Sequence, residues 1–162
     1  DLGYVTDSVR QLVHDSGFPG MKVLEFAFDS RDSGCANDYL PHNYPENSVA
    51  YTGTHDNETI VGWWKSITVK ERKLARDYLC DNWTPDKDLH KCFISLVMRS
   101  SAKLCVIPMQ DYMGLDNSCR MNQPSTVGKN WKWRIRKREL TVKLQKEIHG
   151  IALRYGRMNW SD

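Results

Sequence analysis

Residues 48–57 read Ser-Val-Ala-Tyr-Thr-Gly-Thr-His-Asp-Asn, so a short strand-forming run passes directly into a polar triplet. Val49 and Tyr51 are of the β-branched and aromatic types that strands prefer, which predicts a strand over residues 48–52. Two further runs, at residues 21–28 and 104–109, are almost continuous in apolar residues. Such runs are typical of strands in a parallel sheet that is covered on both faces.

Helical patterns separate the predicted strands. Thr6 and Gly17 are suitable as the first and last residues of a helix whose apolar side carries Val9, Leu12 and Val13. Further helices are predicted over residues 58–66, 69–80 and 140–157, and one more begins at Thr84-Pro85 with an apolar stripe at Leu89, Cys92, Phe93, Leu96 and Val97. Residues 29–47 and 111–130 predict long loops. This alternation indicates an α/β fold with parallel strands.

Three strands are too few for a closed parallel barrel. A (β/α)8 barrel needs eight strands and about 250 residues, whereas this chain has 162 residues. If the fold is a barrel, residues 1–162 form one incomplete part of a single domain. The chain begins with Asp1 and not with Met, which predicts that it starts inside a longer polypeptide.

Composition argues against several classes of protein. Apolar residues make up 40% and charged residues 27% of the chain, as in ordered globular domains. The net charge of +3 is too small to require a nucleic acid or an anionic membrane as partner. No apolar run reaches the roughly 18 residues of a spanning helix, and no signal peptide is visible. Five widely spaced cysteines without a Cys-x-x-Cys pair predict reduced thiols and a cytoplasmic location.

The triplet His55-Asp56-Asn57 is the clearest candidate for chemistry, because functional residues gather where parallel strands end. It combines a proton donor, a fixed negative charge and an amide, which suits sugar hydroxyls and a transition state that becomes positive. A second interpretation is that Asp56 or Asn57 merely caps the helix that follows. The ends of the other predicted strands carry Asp29 and Gln110-Asp111, and nearby aromatics that could stack on sugars or form core are Tyr39, Tyr44, Tyr51, Trp63, Trp64 and Tyr112.

A basic and aromatic segment suggests a different class of ligand. Residues 129–138 interleave Lys and Arg with two tryptophans, a combination found in proteins that bind single-stranded nucleic acid. Trp131, Trp133 and Ile135 alternate, however, as if they faced a core and left the charges in water. With a net charge of only +3, the solvated-surface interpretation is favoured and no nucleic-acid partner is expected. The histidines have no metal-ligand spacing, so no metal site is predicted.

Eight short motifs extend along the whole chain: Asp1-Leu2-Gly3, Gly20-Met21-Lys22-Val23-Leu24, Leu40-Pro41-His42-Asn43-Tyr44, Tyr51-Thr52-Gly53-Thr54-His55-Asp56-Asn57, Gly62-Trp63-Trp64, Pro108-Met109-Gln110-Asp111, Arg120-Met121-Asn122 and Gly128-Lys129-Asn130-Trp131. In this order and spacing they resemble the C-terminal part of the 4-alpha-glucanotransferase family, also called amylomaltase or disproportionating enzyme. The resemblance implies the C-terminal portion of a (β/α)8 barrel with helical insertions. It also implies transfer of 1,4-α-glucan segments to an acceptor glucan by a retaining mechanism with a carboxylate nucleophile, a Glu acid/base and a third carboxylate.

The resemblance implies roles for particular residues. Asp56 would be the third carboxylate, which stabilises the transition state, and His55 and Asn57 would bind the same sugar. Asn122 and Pro124 would line the glucan cleft. The implied substrates are maltooligosaccharides and α-glucan, and neither a cofactor nor a metal is implied.

Asp1 matches the residue that directly follows the acid/base Glu in the family, so this Glu and the nucleophile would both lie upstream of the chain. Asp1 and Asp29 are further substrate-binding candidates, although the loop at residues 30–37, after Asp29, looks longer than the family's usual turn. We therefore expect no transferase activity from the chain alone, and we expect self-association unless the N-terminal half of the barrel covers its strand edges. A non-catalytic glucan-binding module is the alternative function.

Overall fold

The computed structural model describes residues 6–30 and 38–158, in which helices alternate with three short strands. The α-helices and strands are α1 (Asp7–Ser16), β1 (Gly20–Val23), β2 (Ser48–Tyr51), α2 (Ile60–Ser66), α3 (Val69–Leu79), α4 (Leu89–Met98), β3 (Leu104–Val106), α5 (Met109–Tyr112) and α6 (Val142–Arg154). Short 3-10 helices span Leu24–Phe28, Pro41–Asn43, Asn117–Cys119 and Lys137–Glu139. None of the helices in this part of the chain has the length and apolar character needed to cross a bilayer.

The three strands form one parallel sheet in the order β1-β2-β3. In its register Ala50, at the centre of β2, lies opposite Lys22 on β1 and Cys105 on β3. Parallel neighbours require a crossover, and helices α2, α3 and α4 lie on the crossover from β2 to β3. The predicted α/β fold with parallel strands is confirmed, and all three strands present their carboxyl ends at the same edge of the sheet.

Two of the predicted strands are shorter than the apolar pattern suggests. β1 ends at Val23, and the remainder of the apolar run forms the 3-10 helix Leu24–Phe28. Residues three apart lie on the same side of a 3-10 helix, so Leu24 and Ala27 both face the core. In an extended strand the same two residues would point to opposite faces. β3 likewise ends at Val106, and α5 begins directly after Pro108.

An aromatic cluster forms the centre of the core between the sheet and the crossover helices. The rings of Trp63 on α2 and Phe93 on α4 lie 5.3 Å apart in an edge-to-face arrangement, and Phe28 lies 6.1 Å from Trp63. Trp64, also on α2, packs 5.8 Å from Phe93. The predicted apolar stripe of α4 is confirmed, since Leu89, Phe93, Leu96 and Val97 are all buried.

Side chains fix where the helices begin and end. The Thr6 hydroxyl accepts a hydrogen bond from Val9 N, and Gly17 has a left-handed backbone, so both predicted ends of α1 are confirmed. At the start of α3, Thr68 and Glu71 form a reciprocal capping box. The buried Glu71 carboxylate also accepts hydrogen bonds from the backbone N–H and the hydroxyl of Ser30, and it thereby fastens the segment after Phe28 to α3.

Candidate functional site

A cleft of about 470 Å³ opens at the carboxyl edge of the sheet. Its walls come from the ends of β2 and β3 and from the loop that follows α5. Tyr51 and residues 53–59 contribute from the end of β2 and the loop after it, Val106 from β3, Asp111 from α5, and Arg120 and Met121 from the loop. The three chain segments meet here because parallel strands end at one edge, as predicted for functional residues in this fold class.

Asp56 carries the negative charge at the mouth of this cleft. Its Oδ1 atom accepts a 2.6 Å hydrogen bond from Asn122 Nδ2 and lies 3.3 Å from His55 Nε2. Asn122 also donates its backbone N–H to the carbonyl of His55, at 3.1 Å. The structure thus brings together three residues predicted from the sequence, although Asn122 stands 66 positions away from Asp56.

Arg120 holds the two sides of this arrangement together. Its Nη2 donates to the backbone carbonyl of Asp56 at 2.7 Å, and its Nε donates to the carbonyl of Asn122 at 2.9 Å. A planar guanidinium can make both bonds at once with little freedom to move. Sequence reasoning did not select this residue, and its only signal was its place in the Arg120-Met121-Asn122 motif.

The interpretation that Asp56 or Asn57 caps the helix that follows, α2, is wrong. The residue that caps α2 is Thr59, whose side chain accepts a hydrogen bond from Gly62 N. Asn57 instead closes the turn before it, because its Oδ1 accepts from the N–H and the hydroxyl of Thr54 at 2.9 and 2.6 Å. Asn57 therefore shapes the loop that presents Asp56, and its amide oxygen is already occupied.

Two buried acids lie beneath the loop. Asp111 accepts hydrogen bonds from the Thr52 hydroxyl and from Ile60 N. Burial raises the pKa of Asp111 to about 6, even though both hydrogen bonds act in the opposite direction. Burial, reinforced by the charges of Asp111 and Glu58, also raises the pKa of Glu25 well above its usual range. Apolar burial and shared negative charge thus favour a protonated Glu25 at the floor of the site.

Trp131 lies at the rim of the cleft and not in a core, which corrects the prediction from the alternating pattern at residues 131–135. Its indole lies 5.2 Å from the imidazole of His55, tilted by 37°. Trp133 and Ile135 are only half-buried, and the neighbouring basic side chains are exposed. Residues 132–136 form neither helix nor strand, but burial still alternates there, so the prediction holds in part for Trp133 and Ile135 and fails for Trp131.

Two of the predicted site residues, Asp29 and Pro124, are not brought to the cleft. Asp29 follows the 3-10 helix Leu24–Phe28, beside Ser30, which is bound to α3. Pro124 is exposed in the loop after Asn122, and neither it nor Asp29 lines the cleft. Asp1 lies outside the described residues. Of the aromatics near the strand ends, Tyr51 lines the cleft, whereas Tyr44, Trp63 and Trp64 are core.

The described residues contain no group of three or more His, Cys, Asp or Glu side chains arranged to hold a metal ion. The polar groups at the cleft include the Asp56 carboxylate, the His55 imidazole, the amides of Asn57 and Asn122 and the Arg120 guanidinium. These groups hydrogen-bond well to the hydroxyls of a sugar, and a carboxylate stabilises a positive charge that develops on a sugar ring.

Comparison with known proteins points to one family. A family model described as 4-alpha-glucanotransferase matches residues 1–141. The chain is 41% identical over 158 residues to a 4-alpha-glucanotransferase of Clostridium butyricum, a match that covers 97% of this chain and 31% of that protein. It is also 41% identical over 159 residues to the 4-alpha-glucanotransferase of Thermus thermophilus, covering 95% of this chain and 30% of that protein.

The structural comparison agrees. The amylomaltase from Streptococcus agalactiae in complex with acarbose superposes with a TM-score of 0.88 at 36% identity, covering 98% of this chain and 31% of that one. The fold prediction is confirmed, since the chain corresponds to the C-terminal portion of a (β/α)8 barrel. It spans about 30% of the length of these relatives. The matches to the family model, to the relatives and to the solved structure show that the chain belongs to the 4-alpha-glucanotransferase family.

Proposed function

We propose that this chain forms part of the glucan cleft of a 4-alpha-glucanotransferase, in which Asp56 stabilises the transition state. Such an enzyme moves a 1,4-α-glucan segment from a donor to the 4-hydroxyl of an acceptor. The glycosidic bond breaks through a sugar ring that carries positive charge, and a fixed carboxylate nearby lowers the energy of that state.

The observation that carries this proposal is the way Asp56 is held. Asn122 and His55 both approach Oδ1, and no hydrogen bond from the described residues reaches Oδ2. One oxygen is thus fixed by the protein while the other is available to sugar hydroxyls. A carboxylate oriented before the substrate arrives needs no reorganisation when charge develops.

Asp56 does not complete a retaining site by itself. That mechanism uses two carboxyl groups roughly 5 Å apart on either side of the bond, one as nucleophile and one as acid/base. We propose that both are supplied by the N-terminal half of the barrel, since this chain spans about 30% of its relatives. His55, Asn57 and Asn122 would then bind and orient the sugar that Asp56 stabilises.

Disproportionation of maltotriose tests the proposal. We expect no transfer by the chain alone and transfer once it is joined to the N-terminal half of the barrel. In the joined protein, Asp56→Ala should reduce kcat by at least about a hundredfold, whereas Asp77→Asn, on the exposed surface of α3, should leave it unchanged. Transfer by the chain alone would contradict the proposal, and so would full activity of the Asp56 variant. Sugar binding without transfer by the joined protein would favour the glucan-binding module.

A cytoplasmic location is part of the same proposal. It is supported by the four cysteines of the described residues, Cys80, Cys92, Cys105 and Cys119, all of which are free thiols. Fractionation of the producing cells would test it, and recovery in an oxidising compartment would contradict it.

A further inference from the structure

We propose that Trp131 is a sugar-binding residue at the rim of the cleft, and that one glucosyl ring of a bound α-glucan stacks on its indole. This inference rests on the proposed function, because it assumes that the cleft holds a glucan. It adds a stacking surface beside the polar groups of His55, Asp56 and Asn122. Sugar rings present an apolar face of C–H groups that packs well against a flat aromatic ring.

The position of the indole is the first argument. Trp131 lies 5.2 Å from the ring of His55, and His55 Nε2 lies 3.3 Å from Oδ1 of Asp56. The backbone N–H of Trp131 donates to the carbonyl of Met121 at 2.7 Å, and Met121 lines the cleft. A sugar bound at Asp56 would therefore have the indole as a direct neighbour.

The exposure of the indole is the second argument. Trp131 is 54% exposed although it is one of the largest apolar side chains. A tryptophan that served only to pack the loop would be expected to bury most of its surface. The groups beside it are an imidazole, a carboxylate and an amide. If an apolar protein surface covered this region, these polar groups would lose contact with water and gain no hydrogen bonds in exchange. A ligand that offers both an apolar face and hydroxyl groups, such as a glucosyl ring, satisfies all of them.

The backbone is the third argument. Trp131 has a φ of 63°, in the left-handed region that bulky residues rarely adopt. The neighbouring Asn130 side chain holds this geometry in place, since Oδ1 accepts from Gln123 N at 3.0 Å and Nδ2 donates to Thr126 O at 2.9 Å. An unfavourable backbone that the surrounding loop enforces is typical of functional positions.

Titration of the purified chain with maltoheptaose tests this role. Trp131→Ala should bind about tenfold more weakly than the wild type, and Trp131→Phe, which keeps a flat ring, should stay within about threefold. Trp83→Ala is the matched control, because Trp83 is 89% exposed in the α3–α4 connection and does not line the cleft. Its affinity should equal that of the wild type. Unchanged thermal unfolding of Trp131→Ala would show that the loss is not one of folding.

Acrylamide quenching of tryptophan fluorescence gives a second, independent measurement. The difference in quenching between the wild type and Trp131→Phe measures the access of acrylamide to Trp131. Maltoheptaose should reduce this difference, whereas sorbitol should not. If Trp131→Ala binds as tightly as the wild type while Asp56→Ala binds more weakly, the role of Trp131 is overturned and the proposed function stands. If acrylamide still quenches Trp131 at saturating sugar, the role of Trp131 is likewise overturned and the proposed function stands. The exposed indole would then indicate a surface for a protein partner. A wild-type chain that does not bind maltoheptaose overturns the role of Trp131, whereas the proposed function is decided by transfer in the joined protein.

Discussion

Asp111 shows at the scale of one residue how the floor of the site is constructed. Its carboxyl group is fully buried below the loop that carries Asp56, and it links β2, α2 and α5 through Thr52 and Ile60 N. Burial raises the pKa of this group to about 6. The folded protein therefore holds the proton more tightly than the unfolded chain does, and this gives stability a measurable pH dependence.

We expect the contribution of Asp111 to the free energy of unfolding to be complete below about pH 4 and lost as the pH rises through about 6, a change on the order of 3 kcal/mol. Asp111→Asn should remove this part of the slope, because an amide does not titrate. Urea unfolding at pH 4, 5, 6 and 7 measures it. Asp77→Asn on the surface of α3 is the control and should keep the wild-type slope. An Asp111→Asn protein with the same slope would show that Asp111 does not titrate in this range.

Single residues also show what sequence alone can reveal about the site. Asp56 could be identified because a strand-forming run passes directly into a polar triplet, and Asn122 through its resemblance to a family motif. Arg120 and Trp131 gain their roles from contacts with segments more than 60 residues away. Local pattern carries no information about such contacts. Trp131 was predicted to face a core because its alternation with Trp133 and Ile135 resembles a strand.

At the scale of one element, α3 depends on a single carboxylate. Burial alone would raise the pKa of Glu71, but hydrogen bonds from the N–H and hydroxyl groups of Ser30 and Thr68 outweigh it and lower the pKa to about 2. Thr68 is the helix cap, whereas Ser30 belongs to the segment after the 3-10 helix. The ionised carboxylate therefore stabilises both the start of α3 and its attachment to the core.

Glu71→Ala should lower the free energy of unfolding by about 1–3 kcal/mol at pH 7, because it removes the capping box and the hydrogen bonds that fasten Ser30 to α3. Thermal unfolding measures this loss. Since the pKa of Glu71 is lowered, its contribution is present above about pH 4.5 and is lost as the pH falls toward 2. Wild type and variant should therefore become similar in stability at low pH. Lys70→Ala, at a neighbouring exposed position, should match the wild type, and an equal loss in both variants would contradict this assignment.

Elements with a strong periodic pattern were predicted well. The stripe of α4 and the two ends of α1 follow from hydrophobic spacing and capping residues, which are local. The pattern at residues 21–28 was misleading, because a buried strand and a buried 3-10 helix are both continuously apolar. Glu25 N still donates to the Thr52 carbonyl, in continuation of the β1–β2 pairing, although the chain has already turned into the 3-10 helix. No sequence period identifies that bond.

At the scale of the whole molecule, the sheet is open on both sides. Within the described residues β1 and β3 each pair with β2 alone. On β3, Leu104 is 54% exposed and Val106 is 41% exposed. Unpaired strand edges with exposed apolar side chains favour association with another chain or with further strands. In a complete barrel these edges would be covered by neighbouring strands.

We therefore expect the isolated chain to self-associate and to bind a hydrophobic dye. Val106→Lys should reduce both effects, because charged residues on an edge strand oppose pairing. Light scattering and dye fluorescence measure the outcome. Val127→Lys is the control, since Val127 is 96% exposed in a loop and not on a strand edge, and it should not change association. A monomeric wild-type chain that binds no dye would contradict the expectation.

The bridge that Arg120 makes between Asp56 and Asn122 has a consequence for the glucan binding that we propose. Arg120 joins two loops that are distant in the sequence into one unit. The carboxylate is therefore ordered when the protein folds, and ligand binding does not have to supply that loss of entropy. Arg120→Ala would leave each loop free to sample its own conformations, and the encounter with a glucan would then have to select the aligned pair. In the function proposed above, the guanidinium would thus set how much of the binding energy remains available for distorting the sugar.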